Sequence, residues 1–205
     1  MEQIQTFDVL VLGGPRSGKK TFAERLTKDK YDENASYNQN LGIETCERES
    51  IADGRKVLVN ITVCSGRKRH LPIVQQFYDK IHAAIIMYDC SNVDSFREEM
   101  IFWYNEIKRA LPNAIIILVG AKDDINGQLR AIPAKDGDKQ AQEFNVNHYV
   151  VSSKKNTQIT EMWNDLISMM MDNQEKALAN NSQKSETEDK HKTETSEETT
   201  EKVNN

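Results

Sequence analysis

Gly13-Gly14-Pro15-Arg16-Ser17-Gly18-Lys19-Lys20 is the stretch that decides the fold. It follows a β-rich run, Phe7 to Leu12, and precedes a helix-like run, Lys19 to Lys28. A glycine turn in that setting lets the backbone approach an anion closely. Successive N–H groups and the helix N-terminus then surround phosphate oxygens, as in a P-loop. Lys19 sits where its ammonium reaches the outer phosphates. Phosphate contacts are expected from Gly13, Gly14, Arg16, Ser17, Gly18, Lys19, Lys20 and Thr21. One position departs from the pattern: Lys20 stands where a Ser or Thr hydroxyl would ligate Mg²⁺, and an ammonium has no lone pair. Thr21 follows, but one residue along a helix is a rotation of about 100°, so it should point elsewhere. Pro15 lacks an N–H, so the cradle has one donor fewer.

Working outward, short apolar runs alternate with helix-like stretches. Ile43 to Ser50 and Val57 to Cys64 flank Asp53-Gly54, a strong hairpin signal. Ala83 to Tyr88, Ala114 to Val119 and His148 to Val151 read as strands, the first two nearly continuous, as in a sheet covered on both faces. Val93 to Leu111 and Asp138 to Asn145 read as helices between them. Ile159, Met162, Trp163, Leu166, Ile167 and Met170 fall at helical spacing and predict a closing helix with one apolar face. The order implies an α/β fold with a mostly parallel, doubly wound sheet and one antiparallel strand.

Composition bounds the rest. The chain has 205 residues and a formal net charge of −5, which argues against broad nucleic-acid binding, since that wants a basic face. Cys46, Cys64 and Cys90 match no zinc spacing and read as reduced thiols, two of them in the core. The N-terminus has no basic-then-apolar leader, and no apolar run approaches the roughly 20 residues of a membrane span. A soluble cytoplasmic protein is the expectation. Residues 1–172 read as one domain, and 173–205 as a polar, acidic tail with too little to bury to offset its conformational entropy.

Further motifs follow the glycine loop in a telling order. Tyr88-Asp89-Cys90-Ser91-Asn92-Val93-Asp94-Ser95-Phe96, then Trp103, Glu106 and Ile107, resemble the strand-to-helix junction of Rab-type small GTPases of the Ras superfamily. Leu118-Val119-Gly120-Ala121-Lys122-Asp123-Asp124 resembles their guanine-recognition motif NKxD, and Ser152-Ser153-Lys154 their SAK motif. The resemblance covers roughly residues 6 to 171 and implies a P-loop NTPase fold with a six-stranded sheet. It implies GTP/GDP as ligand, and protein effectors or regulators as partners of a monomer. In the base site it implies that Asp124 accepts hydrogen bonds from guanine N1–H and N2–H. Lys122 would pack its stem on the ring, and Ser152, Ser153 and Lys154 would form the loop beside the base oxygen. The Asn of NKxD is Ala121 here, and the aromatic that covers the base falls near Glu33, with Tyr31 two residues away.

The same alignment puts Asn40 at the switch I Thr and Val63-Cys64-Ser65-Gly66-Arg67-Lys68 on DTAGQE of switch II. Val63 then replaces the metal-holding Asp and Arg67 the water-orienting Gln; Gly66 is retained as a phosphate contact. No catalytic residue is intact, no metal ligand is assigned, and Mg²⁺ is doubtful. An unassisted Ras-type site turns over at only about 10⁻⁴ per second, and this one should be slower or inactive. Arg16, Lys20, Arg67, Lys68 and Arg69 gather where phosphates and metal would lie. Either they neutralise a nucleotide without Mg²⁺, or the site has drifted and the domain is a scaffold for partners. An adenine-nucleotide kinase would have no use for Asp124 or the SAK-like loop. The last cysteine is Cys90 and the sequence ends Val203-Asn204-Asn205, so no direct lipid anchor is expected, and membrane association would come only through partners.

Overall fold

The computed structural model describes residues 4–33, 42–125 and 129–179. It divides into two compact units, Met1–Ile167 and Ser168–Asn205, and the first holds the sheet. Nine residues of β-forming sequence make β1 (Gln5–Gly13), and the glycine loop leads into α1 (Lys19–Lys28). β2 (Glu44–Ala52) and β3 (Arg55–Val63) form the hairpin that Asp53-Gly54 signals. Both turn residues have positive φ, 51° and 74°, as a tight two-residue connection requires. A 3₁₀ turn at Lys68–His70, α2 (Leu71–Val74) and a second 3₁₀ turn at Gln75–Lys80 lead to β4 (Ala83–Asp89). A π-helical turn at Ser95–Met100 opens α3 (Ile101–Ala110). Then come β5 (Ile115–Ala121), α4 (Ala134–Phe144), β6 (Asn147–Val151) and a helix, α5, over 159–179.

The strand order is β2-β3-β1-β4-β5-β6, and every pairing is parallel except β2 with β3. The six-stranded, mostly parallel sheet with one antiparallel strand is the fold that the sequence predicts. All seven residues of β4 are buried, as a central strand covered on both faces should be. On one face Leu10, Leu12, Ala84, Ile86 and Leu118 pack with Met100, Trp103 and Ile107 of the π turn and α3. Phe22 and Leu26 bring α1 into the core, and Ile159, Met162, Trp163, Leu166 and Ile167 of α5 are buried as their spacing predicts. Cys64 and Cys90 are buried too, with free thiols.

At the sheet edge β2 alternates cleanly. Thr45, Glu47, Glu49 and Ile51 are exposed, while Cys46, Arg48 and Ser50 are half-buried. Arg48 donates to the carbonyl of Leu26, and Trp163 Nε1 donates to Ser50 Oγ at 3.0 Å. α5 continues past Asp172, where composition alone ends the ordered domain. The continuation, Gln174-Glu175-Lys176-Ala177-Leu178-Ala179, is made of strong helix formers. Residues 180–205 lie outside the described residues, as do Asn40 and Leu41. No helix among the described residues is long and apolar enough to cross a membrane.

Candidate functional site

The C-terminal ends of β3 and β5 and the loop that follows β1 open onto a cavity of about 530 Å³. This is the position where open α/β sheets place ligands. One end is built by the glycine loop. Gly13 has φ 137°, and a Cβ there would lie 2.1 Å from the Met87 carbonyl oxygen, so only glycine fits beside β4. Gly18 starts α1 in the left-handed region, and its carbonyl accepts from Phe22 N at 2.8 Å. The glycine loop thus turns without a side chain in its way.

Lys19 is the anchor of this end. It is only 8% exposed, and its ammonium donates to Gly13 O at 2.9 Å, Gly14 O at 2.6 Å and Ser17 Oγ at 3.2 Å. Burial lowers its pKa to about 8, opposed by nearby Cys64 and Glu99. Burial also pushes the Cys64 thiol up to about 12, so it is neutral at ordinary pH. The result is a cation in low dielectric whose hydrogen-bond partners are all neutral oxygens and whose charge Glu99 offsets only in part, an arrangement that favours an arriving anion.

The segment after β3 lies directly on this loop. A Cβ on Gly66 would fall 2.3 Å from Gly14 C and 2.4 Å from Pro15 N, so the two backbones touch. From the other direction Glu99, carried by the π turn, packs on Gly14, where a Cβ would meet its Cβ at 2.8 Å. The loop is therefore clamped between β4, the Gly66 segment and the π turn.

The sequence places Lys20 where a metal ligand would be, and the structure gives it a partner. Its Nζ bonds Glu44 Oε1 at 2.7 Å, and that hydrogen bond raises its pKa. Both side chains are half exposed and line the cavity. Thr21 lines it as well, contrary to the expectation that it points elsewhere: the cavity extends along the first turn of α1 and reaches the next residue. Val63, also in the lining, brings no oxygen donor. Among the described residues no group of three or more His, Cys, Asp or Glu converges to hold a metal ion.

The other end is built by two loops. Lys122 adopts φ 68° after β5, and its ammonium bonds Asp89 Oδ2 at 2.5 Å. Asp89 is itself buried and accepts from Ser91 N at 2.8 Å and Ser91 Oγ at 2.6 Å, so β4 fixes Lys122 across the β5 end. Asp124 Oδ1 accepts from Ser152 Oγ at 2.6 Å. Ser152 is fully buried, accepts from Lys155 N at 3.0 Å, and pairs through its backbone with Thr157. A carboxylate has about four lone-pair sites, so Asp124 keeps acceptor capacity towards the cavity that it lines.

Ser153 and Lys154 complete this end. Ser153 O accepts from Arg25 Nε at 2.8 Å, and Lys154 forms an ion pair with Glu33 that raises its pKa. Tyr31 lines the same cavity with Arg25 near its face, 5.9 Å from the ring centroid. The two ends meet at Gly18, whose missing Cβ would lie 3.6 Å from the Ala121 side chain.

Arg16, Ser17, Gly18, Lys19, Lys20, Thr21, Gly66, Lys122, Asp124, Ser153 and Lys154 thus share one cavity. Gly13 and Gly14 shape the loop and give Lys19 its carbonyls, and Ser152 acts through Asp124. Four participants carry no role in the sequence reading: Glu44, Asp89, Ser65 and His70. Their partners are distant or unpatterned in sequence, and only the folded chain brings them together.

Known proteins resemble this chain along most of its length. The model of the Ras family matches residues 8–172. The chain is 31% identical over 161 residues to Ras-related protein Rab-1C of Dictyostelium discoideum, covering 78% of each chain. It is 25% identical over 173 residues to Ras-related protein Rab-3D of Mus musculus, covering 84% of this chain and 77% of that one. To Ras-related protein RABA1b of Arabidopsis thaliana it is 26% identical over 165 residues, covering 80% and 74%. A glycine loop closing on a buried lysine, in a sheet of this order and with relatives of this kind, makes the chain a Rab-like member of the Ras family.

Proposed function

We propose that the cavity binds a guanine nucleotide, with its phosphates at Lys19 and its base at Asp124. The observation that carries this reading is the pairing of those two groups in one cavity of about 530 Å³. A buried cation in a glycine cradle sits at one end, and a carboxylate oriented by Ser152 at the other. Guanine offers N1–H and N2–H to such a carboxylate; adenine has no matching pair of donors.

A Mg²⁺ ion of the kind used by Ras-type sites does not fit these residues. Lys20 brings a positive charge, and Val63 an aliphatic side chain, to the two positions that would hold it. Charge neutralisation falls instead to Lys19, Lys20 and Arg16. With no glutamine at Arg67 to orient a water, hydrolysis is slow or absent. The nucleotide's role is then to hold a conformation that protein effectors or regulators recognise, in intracellular vesicle traffic or signalling, on a monomer.

A second reading draws on the ion pairs Lys20–Glu44, Lys122–Asp89 and Lys154–Glu33. The chain's own carboxylates already occupy three lysines around the cavity, as in a scaffold that works empty. One experiment separates the two. The protein is purified without added nucleotide, with and without EDTA, then denatured, and any released nucleotide is identified by chromatography. Stoichiometric GDP or GTP that survives EDTA supports metal-free guanine binding. A folded, monodisperse and empty protein that also takes up no added GDP leaves the scaffold.

A further inference from the structure

Ser65 sits in the cavity lining between Cys64, which ends the buried run of β3, and Gly66, whose backbone lies against the glycine loop. Its hydroxyl is held by an unusual set of partners. Ser65 Oγ is 2.7 Å from His70 Nδ1 and 3.4 Å from the backbone N of Arg67. His70 is 8% exposed, and its other ring nitrogen accepts from Arg69 Nε at 3.3 Å.

These contacts fix the direction of each proton. A guanidinium has only donors, so Nε2 of His70 is the acceptor. A neutral imidazole then carries its proton on Nδ1, and Nδ1–H donates to Ser65 Oγ. The Arg67 N–H donates to the same oxygen. A hydroxyl has two lone pairs and one proton. Both lone pairs are taken, so the O–H proton is left to donate to a third partner, on a residue that lines the cavity. His70 thus does not act as a base for Ser65. It makes the hydroxyl a hydrogen-bond donor of fixed direction.

We infer that the Ser65 hydroxyl, oriented by His70, is the group through which this site reads a terminal phosphate without a metal ion. The inference rests on the guanine-nucleotide reading above and adds what distinguishes the triphosphate from the diphosphate. Gly66 brings the 65–70 segment to the loop that holds Lys19, so Ser65 flanks the outer phosphate position. Lys19 and the loop hold the phosphates that both nucleotides share, with the Lys19 ammonium also within reach of the outermost one, and Ser65 adds a contact that only the triphosphate meets. A hydrogen bond from Ser65 to the γ-phosphate couples that phosphate to the turn at Lys68–His70 through two short contacts. A ligand shifts an equilibrium only by its differential interaction with the two states, and this contact supplies one. Ser65 is a binding residue here, and His70 a positioning residue.

The test compares affinities of GDP and the slowly hydrolysed analogue GTPγS for the full chain in EDTA, by titration calorimetry. Wild type is set against Ser65→Ala, Ser65→Thr and His70→Gln. A lost hydrogen bond to a charged group should weaken GTPγS by about tenfold or more in Ser65→Ala, with GDP affinity changed less than about twofold. Ser65→Thr keeps the hydroxyl and should restore most of the GTPγS affinity. His70→Gln should show a smaller loss, confined again to GTPγS. An unchanged ratio of the two affinities in Ser65→Ala overturns the inference while leaving guanine binding intact. Equal losses for both nucleotides overturn it too, because the loop as a whole has then been disturbed. If wild type binds neither nucleotide, the guanine reading falls and this inference falls with it.

Discussion

The two ends of the cavity have kept different things. At the β5 end, Lys122, Asp124 and Ser152 hold the residue types expected of a guanine site, and each is locked by a partner from another element. At the α1 end, the loop geometry and Lys19 remain, but on the proposed reading the positions that would handle a metal and a water are Lys20, Val63 and Arg67. The difference teaches that holding a ligand and reacting it are separable demands. Holding needs shape and a few directed groups, which the clamped glycine loop and the Ser152–Asp124 contact provide. Hydrolysis needs a metal and a positioned water, and the side chains at those places offer cations and an aliphatic group instead.

The largest effect should come from removing the one group that both a working and an idle site would keep. Lys19→Ala should weaken GDP binding by about a hundredfold or more, because a buried charge-assisted contact is lost along with its cradle. Fluorescence titration with a labelled GDP reads this directly. If GDP affinity is unchanged, the phosphates do not sit in the loop and the comparison between the ends collapses.

Asp124→Ala probes the opposite end and should cost about 10- to 100-fold in GDP affinity while leaving ADP affinity unchanged. Competition of GDP and ADP for the labelled ligand measures the ratio. A loss shared equally by both nucleotides would show that Asp124 only braces Ser152.

The pH dependence sharpens the role of Lys19. Its pKa in the empty protein is lowered to about 8, and a bound phosphate raises it again. Binding therefore takes up a proton, and affinity should fall by about tenfold between pH 7 and pH 9. The sign for folding is separate. Between about 8 and the ordinary 10.5 the unfolded chain carries more protons on this group than the folded one, so the empty protein gains stability as pH rises through that window. The smallest effect belongs to the exposed pair at the α1 end. Glu44→Gln breaks the contact with Lys20, yet stability should change by less than about 1 kcal/mol in chemical denaturation, because both side chains are half in water.

Legibility followed the same division. The sheet, its order of elements and the two loops could be read because hydrophobic periodicity and glycine placement report local backbone demands directly. Gly13 must be glycine where β4 crowds it, and Asp53-Gly54 must accept positive φ. What could not be read was which charges meet. Glu44 and Lys20 are 24 residues apart, Asp89 and Lys122 are 33 apart, and no spacing rule links them. The Ser65–His70 contact hides differently: five residues separate the two, but the turn that folds one back on the other starts inside a basic run that reads as solvated. The end of α5 is hidden in the sequence for another reason, since charged residues that suit a solvated coil also suit a helix surface.

The edge of the sheet has a bearing on how this protein behaves in a concentrated solution. β2 is the terminal strand, and on its exposed face stand Glu47 and Glu49. A second copy adding antiparallel to that edge about Arg48 would set Glu47 of one chain against Glu49 of the other, twice over. Four carboxylates would then share one small face, and like charges directly opposite on neighbouring strands repel. Glu47 and Glu49 thus oppose the pairing of two copies through this edge, an opposition that concentrated salt would screen.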